Sequence, residues 1–148
     1  MFNRKPQSGF TLIEIMVVIV IIGILAAAVL PNLMGEPDKA RVVKAKADVQ
    51  SLEAALERYR LDNFRYPTTE QGLEALVRKP SGTPEPRNYP PGGYVKSLPQ
   101  DPWGNDYVYM NPGKHGQIDI FSLGADGQAG GDDMNADIGN WTGNGASR

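Results

Sequence analysis

The segment Gly9-Phe10-Thr11-Leu12-Ile13-Glu14 opens the most apolar part of this chain and decides how the chain folds. No residue from Ile15 to Leu30 carries a charge, and a helix from Phe10 to Leu30 would reach ~30 Å, the thickness of a bilayer's hydrocarbon core. We therefore expect a membrane span, or a helix that imitates one. Glu14 is the exception, because an isolated carboxylate inside such a segment costs roughly 2.5–3.5 kcal/mol.

The residues before this segment admit two interpretations. Arg4 and Lys5 make the start of the chain basic, as in a secretory signal, and Ala26-Ala27-Ala28 could then be the cleavage site. Alternatively, a cut after Gly9 would leave the apolar segment on the mature protein, with a new amino group on Phe10. Glu14 likewise has two explanations: it reaches water at the membrane surface, or it meets a positive partner.

Composition excludes several classes of protein. The chain has no cysteine, so disulfides and thiolate metal sites are impossible. Its formal charge is −2, and removal of the first nine residues, which carry Arg4 and Lys5 but no acid, makes the charge −4. A basic nucleic-acid-binding face is therefore not expected.

A second helix is predicted from Asp38 to about Leu61, since this stretch lacks glycine and proline. Its apolar residues recur every three or four positions and form one stripe: Val42, Ala45, Val49, Leu52, Leu56 and Tyr59. We expect the stripe to carry a small C-terminal domain, and a coiled-coil seam is the alternative.

The C-terminal part is predicted to mix short helices and strands. Thr68–Leu76 has the pattern of a short capped helix. Two short runs, 107–109 and 118–121, have the pattern of hairpin strands. His115 lies in the hairpin loop, where we expect a solvated side chain.

Four acids lie close together near the end of the chain: Asp126, Asp132, Asp133 and Asp137. Glycines between them allow the loop to curl so that carboxylate and carbonyl oxygens converge. Oxygen ligands in a flexible loop suit Ca²⁺, but from residues alone a solvated acidic turn is an equal alternative.

The segment Gly9–Glu14 resembles the class III signal of type IV pilins and pseudopilins. The resemblance implies that a prepilin peptidase cuts after Gly9 and methylates Phe10. It also implies that Glu14 neutralises the terminal amine of a neighbouring subunit during assembly. An amino terminus on the cytoplasmic side follows from this resemblance and not from the distribution of lysine and arginine.

Further motifs resemble those of the major pseudopilins of type II secretion systems, and they extend the resemblance from Gly9 to Trp141. These motifs are Asp62–Leu76, Asp101–Gly104, Ser122–Gly127 and Ala136–Trp141. The implied fold is α+β and type IV pilin-like, with a long N-terminal helix packed against a small antiparallel sheet and a C-terminal calcium loop.

The implied organisation is a removed leader at 1–9, an apolar assembly helix at 10–33, its amphipathic continuation at 34–62, and a globular domain at 63–148. The calcium loop is expected at 122–141. The resemblance implies that the Leu123 carbonyl, Asp126 and Asp133 bind Ca²⁺, with weaker candidates in Asp132, Asn135, Asp137 and the Ile138 carbonyl.

The implied function is structural: a subunit that polymerises with copies of itself into a periplasmic pseudopilus that drives export of folded proteins. Expected partners are minor pseudopilins, the prepilin peptidase and the inner-membrane assembly platform. The subunit would be a single-pass inner-membrane protein with its C-terminal domain in the periplasm, and it would join a periplasmic filament after assembly. A type IV pilin for adhesion or motility is the alternative, and a membrane-tethered binding protein or enzyme is a third class.

Overall fold

The computed structural model describes the backbone of residues 9–34 and 36–142, and the side chains of residues 9–27 and 37–142. The predicted leader, apart from Gly9, lies outside the described residues. The chain divides into two compact units, residues 1–38 and residues 39–148.

The first unit contains helix α1, Leu12–Met34. Its large apolar side chains from Leu12 to Leu25 are each at least half exposed. Within the part of the chain that the structure describes, no helix is both long and apolar enough to cross a membrane. The expected span at 10–33 stays a prediction.

The second helix, α2, runs from Glu36 to Asn63. The predicted apolar stripe is confirmed for Ala45, Val49, Leu52, Leu56 and Tyr59, which are buried, whereas Val42 at its start is only partly buried. The core packed on this stripe includes Leu76 and Ile120 from the rest of the second unit. The faces of α2 away from this stripe are mostly charged or polar, with Val43 and Leu61 as exposed apolar exceptions.

A capped turn leads from α2 into the domain. The Thr68 and Gln71 side chains each accept a hydrogen bond from the other residue's backbone N–H, at 3.2 and 3.1 Å. This reciprocal pair is a capping box, and a 3₁₀ helix follows at Leu73–Leu76. The short capped helix predicted at Thr68–Leu76 is found only in part, because the Thr68–Gln71 pair closes a turn and the 3₁₀ helix that follows covers four residues and has no side-chain cap of its own.

Three short strands form an antiparallel sheet in the order β1-β2-β3: Val108–Met110, Asp119–Ser122 and Ile138–Gly139. The predicted hairpin is confirmed, with Tyr109 opposite Ile120. Strand β3 was not predicted, because two residues are too few to show an alternating pattern. β3 places Ile138 opposite Ser122 and so closes the segment between them into a loop.

Candidate functional site

The start of α1 is the first candidate site. The backbone N–H of Glu14 donates to Thr11 Oγ1 at 3.3 Å, and the backbone N–H of Thr11 donates to Glu14 Oε2 at 3.4 Å. The two residues therefore form a capping box at the end of the helix where a carboxylate is also favoured by the helix dipole. Glu14 has a role within its own chain that sequence reasoning missed, although Thr-x-x-Glu before an apolar run is the recognised signal for it.

The residues flanking this capping box are open to the surroundings. Phe10 is 81% exposed. Among the described residues, nothing lies within 4 Å of the position that a Cβ on Gly9 would occupy. Packing among the described residues therefore does not require glycine at position 9.

The loop from Leu123 to Asp137 is the second candidate site. Its two limbs are joined by the backbone N–H of Ala125, which donates to the Met134 carbonyl at 2.9 Å. Two glycines with positive φ let the limbs approach closely. A Cβ would lie 2.7 Å from the Asn135 carbonyl carbon at Gly124 and 2.5 Å from the Asn135 carbonyl oxygen at Gly131. Alanine cannot replace either glycine without moving the backbone.

The predicted calcium ligands lie on this loop, at its base and on both limbs. Leu123 follows β2 and Ile138 opens β3, so the Ser122–Ile138 pair brings them near each other. Asp126, Asp132 and Asp133 are exposed, and Asp133 adopts a φ of 53°. Among the described residues, no group of three or more His, Cys, Asp or Glu side chains is placed to hold a metal ion.

Asp137 is the one candidate ligand with an unmatched buried atom. Its Oδ2 accepts a hydrogen bond from the Gly130 N–H at 3.0 Å, whereas its Oδ1 is buried and has no hydrogen-bond partner. A buried carboxylate oxygen without a partner is costly unless something else binds it. This atom, with the carbonyls and carboxylates of the loop, is a donor set that suits Ca²⁺.

The loop is fixed at its base by buried polar groups. Ser122 Oγ donates to Asp101 Oδ2 at 2.6 Å and accepts from the Gly124 N–H at 3.1 Å. On the other limb, Asn140 Nδ2 donates to Glu53 Oε1 on α2 at 3.3 Å. Both limbs are thus held before and after the acidic segment.

His115 is not the freely solvated loop residue expected from sequence. Its side chain is 49% exposed, but its ring stacks on Trp141 at a centroid distance of 3.9 Å. Its Nδ1 lies 3.0 Å from Asp119 Oδ2, on a residue that is only 1% exposed. Burial would raise the pKa of Asp119, but hydrogen bonds from Lys114 and His115 outweigh burial and hold it below its ordinary value.

Comparison with known proteins identifies the family. The model of the family described as type II secretion system protein G matches residues 32–141, and that of the prokaryotic N-terminal methylation motif matches residues 4–30. This chain belongs to the protein G family. The pseudopilin family expected from the sequence is therefore confirmed.

Similar proteins support this membership over nearly the whole chain. A type II secretion system core protein G of Pseudomonas aeruginosa is 62% identical over 139 residues, covering 94% of this chain and 98% of that protein. Its counterpart in Vibrio cholerae is 62% identical over 141 residues, covering 95% and 96% of the two chains.

The fold matches a solved member of the protein G family. The crystal structure of the major pseudopilin from the type 2 secretion system of enterohaemorrhagic Escherichia coli superposes with a TM-score of 0.67 at 60% identity. The match covers 76% of this chain and 96% of that chain. The predicted α+β, pilin-like class is confirmed.

Proposed function

We propose that this protein G family member is the repeating subunit of a periplasmic pseudopilus that drives export of folded proteins across the outer membrane. The family match over residues 32–141 is the observation that carries this proposal. Its role is structural and not enzymatic. Its partners are other copies of itself, minor pseudopilins, the prepilin peptidase and the inner-membrane assembly platform.

A deletion strain tests this function against the type IV pilin alternative. Loss of the gene should leave exported proteins in the periplasm, and the intact chain should restore their release. Twitching motility should not change. Normal export combined with lost motility would contradict the proposal and favour a motility pilin.

Maturation is proposed to remove residues 1–9 and methylate Phe10. The match to the N-terminal methylation motif supports this step, and so does the absence of any packing reason for glycine at position 9. Before assembly the subunit would be held in the inner membrane by residues 10–33, with its C-terminal domain in the periplasm. Mass spectrometry of the membrane-bound protein tests this, and a chain beginning downstream of Ala28 would contradict it.

Glu14 is proposed to pair with the Phe10 amine of a neighbouring subunit. An amine entering an apolar helix bundle needs a negative partner, since an isolated charge there is strongly destabilising. Within residues 9–34 and 36–142 the capping box uses only Oε2 of Glu14, so the carboxylate can hold Thr11 through that atom and still accept an amine through Oε1. Because this pairing forms when a subunit joins the filament, loss of the Glu14 charge should stop filament growth and leave maturation intact.

Ca²⁺ is proposed to bind the loop through the Leu123 carbonyl, Asp126 and Asp133, with Asp132, Asn135, Asp137 and the Ile138 carbonyl as further candidates. The glycine-rich backbone and the partnerless buried oxygen of Asp137 support this assignment. The ion would supply positive charge that stabilises the folded loop. If Ca²⁺ binds only to the folded form, it adds about 2.7 kcal/mol to the free energy of unfolding when its free concentration is 100 times its Kd.

Thermal unfolding of the purified protein with Ca²⁺ or with EGTA tests this site. The wild type should unfold at a lower temperature in EGTA, and Asp126→Ala should remove most of that difference. Asp106→Ala is the matched control, because Asp106 is an exposed acid outside the loop. An unfolding temperature that does not respond to EGTA would contradict calcium binding.

A further inference from the structure

Two large apolar side chains stand in solvent at the end of α2. Leu61 is 72% exposed and Phe64 is 82% exposed. Both side chains line the same groove, so they form one apolar surface. Neither side chain contributes to the core of its own domain.

Phe64 occupies a backbone conformation that usually belongs to glycine. Its φ is 60°, and its N–H closes the last turn of α2 by donating to the Arg60 carbonyl at 2.7 Å. Glycine adopts this helix-ending conformation without strain, whereas a bulky residue there is strained. Because the ring is exposed, packing within its own chain offsets little of this backbone strain. A contact outside the chain would give the ring a use.

Two arginines lie beside this aromatic ring, and because Arg60 is already paired with Glu57, the two arginines and Glu57 together carry one net positive charge. A groove of about 710 Å³ is lined by Leu61, Phe64, Arg60 and Arg65, and none of its lining residues carries a carboxylate. Arg60 Nη1 donates to Gln117 Oε1 at 3.0 Å, and Arg60 Nε also lies 3.6 Å from Glu57 Oε2. We call Arg60, Leu61, Phe64 and Arg65 the basic-aromatic patch.

A surface of matching chemistry lies on the acidic loop. Met134 is 38% exposed and lies on the same loop as the exposed carboxylates of Asp126, Asp132 and Asp133. We call these four residues the acidic loop tip. With Ca²⁺ bound to Asp126 and Asp133, the ion balances the charges of these two ligands, and Asp132 leaves the tip with one net negative charge. Methionine sulfur contacts aromatic rings favourably, and carboxylates pair with guanidinium groups.

The two surfaces lie on different parts of the domain. Asn140, which follows the acidic loop, bonds to Glu53. Glu53 precedes Asn63, the last residue of α2 and the neighbour of Phe64, by ten positions, or ~15 Å along the helix axis. A contact between two different surfaces of the same protein is a head-to-tail contact. Such contacts generate open polymers when the rotation between neighbouring subunits does not close a ring.

We propose that the basic-aromatic patch of one subunit binds the acidic loop tip of a second copy of this chain in the filament. Charge complementarity selects this occupant, and Phe64 against Met134 forms the apolar centre of the contact. The inference rests on the proposed function, because the partner surface is supplied by polymerisation.

Cysteine cross-linking tests this contact, since the chain contains no cysteine of its own. Subunits carrying both Phe64→Cys and Met134→Cys are assembled and mildly oxidised. We expect a ladder of disulfide-linked dimers, trimers and longer species. Val43→Cys with Met134→Cys is the matched control, because Val43 is an exposed α2 residue outside the patch, and it should give no ladder.

Other outcomes of this experiment would overturn the proposal. Filaments that form without a Phe64–Met134 link would refute the contact and leave the proposed function intact. Cross-linked dimers of the Phe64→Cys variant alone would indicate a symmetric contact instead. Failure of the wild-type chain to form any filament would refute the proposed function itself, and with it the partner.

Phe64→Gly separates a contact role from a folding role. Glycine removes the backbone strain, so the unfolding temperature should stay equal or rise, while filament yield should fall at least about fivefold. A lower unfolding temperature would show that Phe64 serves its own domain and would overturn the proposal. An unchanged filament yield would do the same.

Discussion

The carboxylate of Asp119 should stabilise the domain at neutral pH and lose that effect in acid. Asp119 is 1% exposed, and its Oδ2 accepts hydrogen bonds from the Lys114 N–H, the His115 N–H and the His115 ring at 2.7, 3.1 and 3.0 Å. Its Oδ1 accepts a longer bond from the His115 N–H at 3.2 Å. These donors hold the hairpin loop against β2, so Asp119→Asn perturbs one well-defined cluster.

The size of the effect follows from these four contacts. An asparagine can place its oxygen where Oδ2 lies and keep three bonds, but they become bonds to a neutral group. Hydrogen bonds to charged groups contribute ~1.5–3 kcal/mol each, against ~1 kcal/mol for neutral ones. The amide nitrogen would replace Oδ1 and face the His115 N–H, from which it cannot accept a hydrogen bond. We therefore expect Asp119→Asn to lower the free energy of unfolding by about 2–4 kcal/mol at neutral pH.

The pH dependence gives the sharper measurement. Because the folded pKa of Asp119 lies below the ordinary value of 3.8, its contribution is present above that value and is lost as pH falls through the lower folded pKa. Denaturant unfolding of wild type and Asp119→Asn should therefore differ most near neutral pH and converge in acid. A difference that stays constant with pH would refute the reasoning. Asp106→Asn is the control, and it should change stability by less than ~0.5 kcal/mol.

Two further predictions concern the same domain. Gly139→Ala should displace Trp141, because a Cβ at Gly139 would lie 2.4 Å from that ring. We expect altered tryptophan fluorescence, and a free energy of unfolding in denaturant that is lower by about 1–3 kcal/mol. Burial and the hydrogen bond to Asp62 raise the pKa of Tyr94 to about 12, so the stability it contributes is present below pH 10.0 and is lost as pH rises toward 12. In alkaline denaturation monitored by tyrosinate absorbance, Tyr94→Phe should lose less stability over that range than the wild type, and equal losses would contradict this.

Sequence predicted the helical framework well, because its signals are local and repeated. The stripe ending at Tyr59 is set by a helical period, and the hairpin strands are short runs rich in aromatic and β-branched residues on either side of a loop with proline and glycine. Both patterns can be read without knowing what packs against them.

The missed features depend on distant residues. The contact of His115 with Asp119 and Trp141 brings together a hairpin loop, a strand and the end of the chain, so no local pattern signals it. Thr11 is different, since its capping box with Glu14 is signalled locally by Thr-x-x-Glu before an apolar run. The acidic residues of the loop are visible in the sequence. The burial of Asp137 Oδ1 without a partner depends on how the loop folds, so the sequence does not show it.

The central claim is that Glu14 brings a negative charge to another subunit's amine, and Glu14→Gln tests it most directly. Glutamine can keep the capping box with Thr11 and removes only the charge. An uncompensated buried charge costs about 3–5 kcal/mol, so subunit addition should weaken by at least about a hundredfold. We expect Glu14→Gln protein to be cleaved after Gly9 and methylated at Phe10 but to form no filaments. Filaments formed at the wild-type yield by the processed variant would contradict the account.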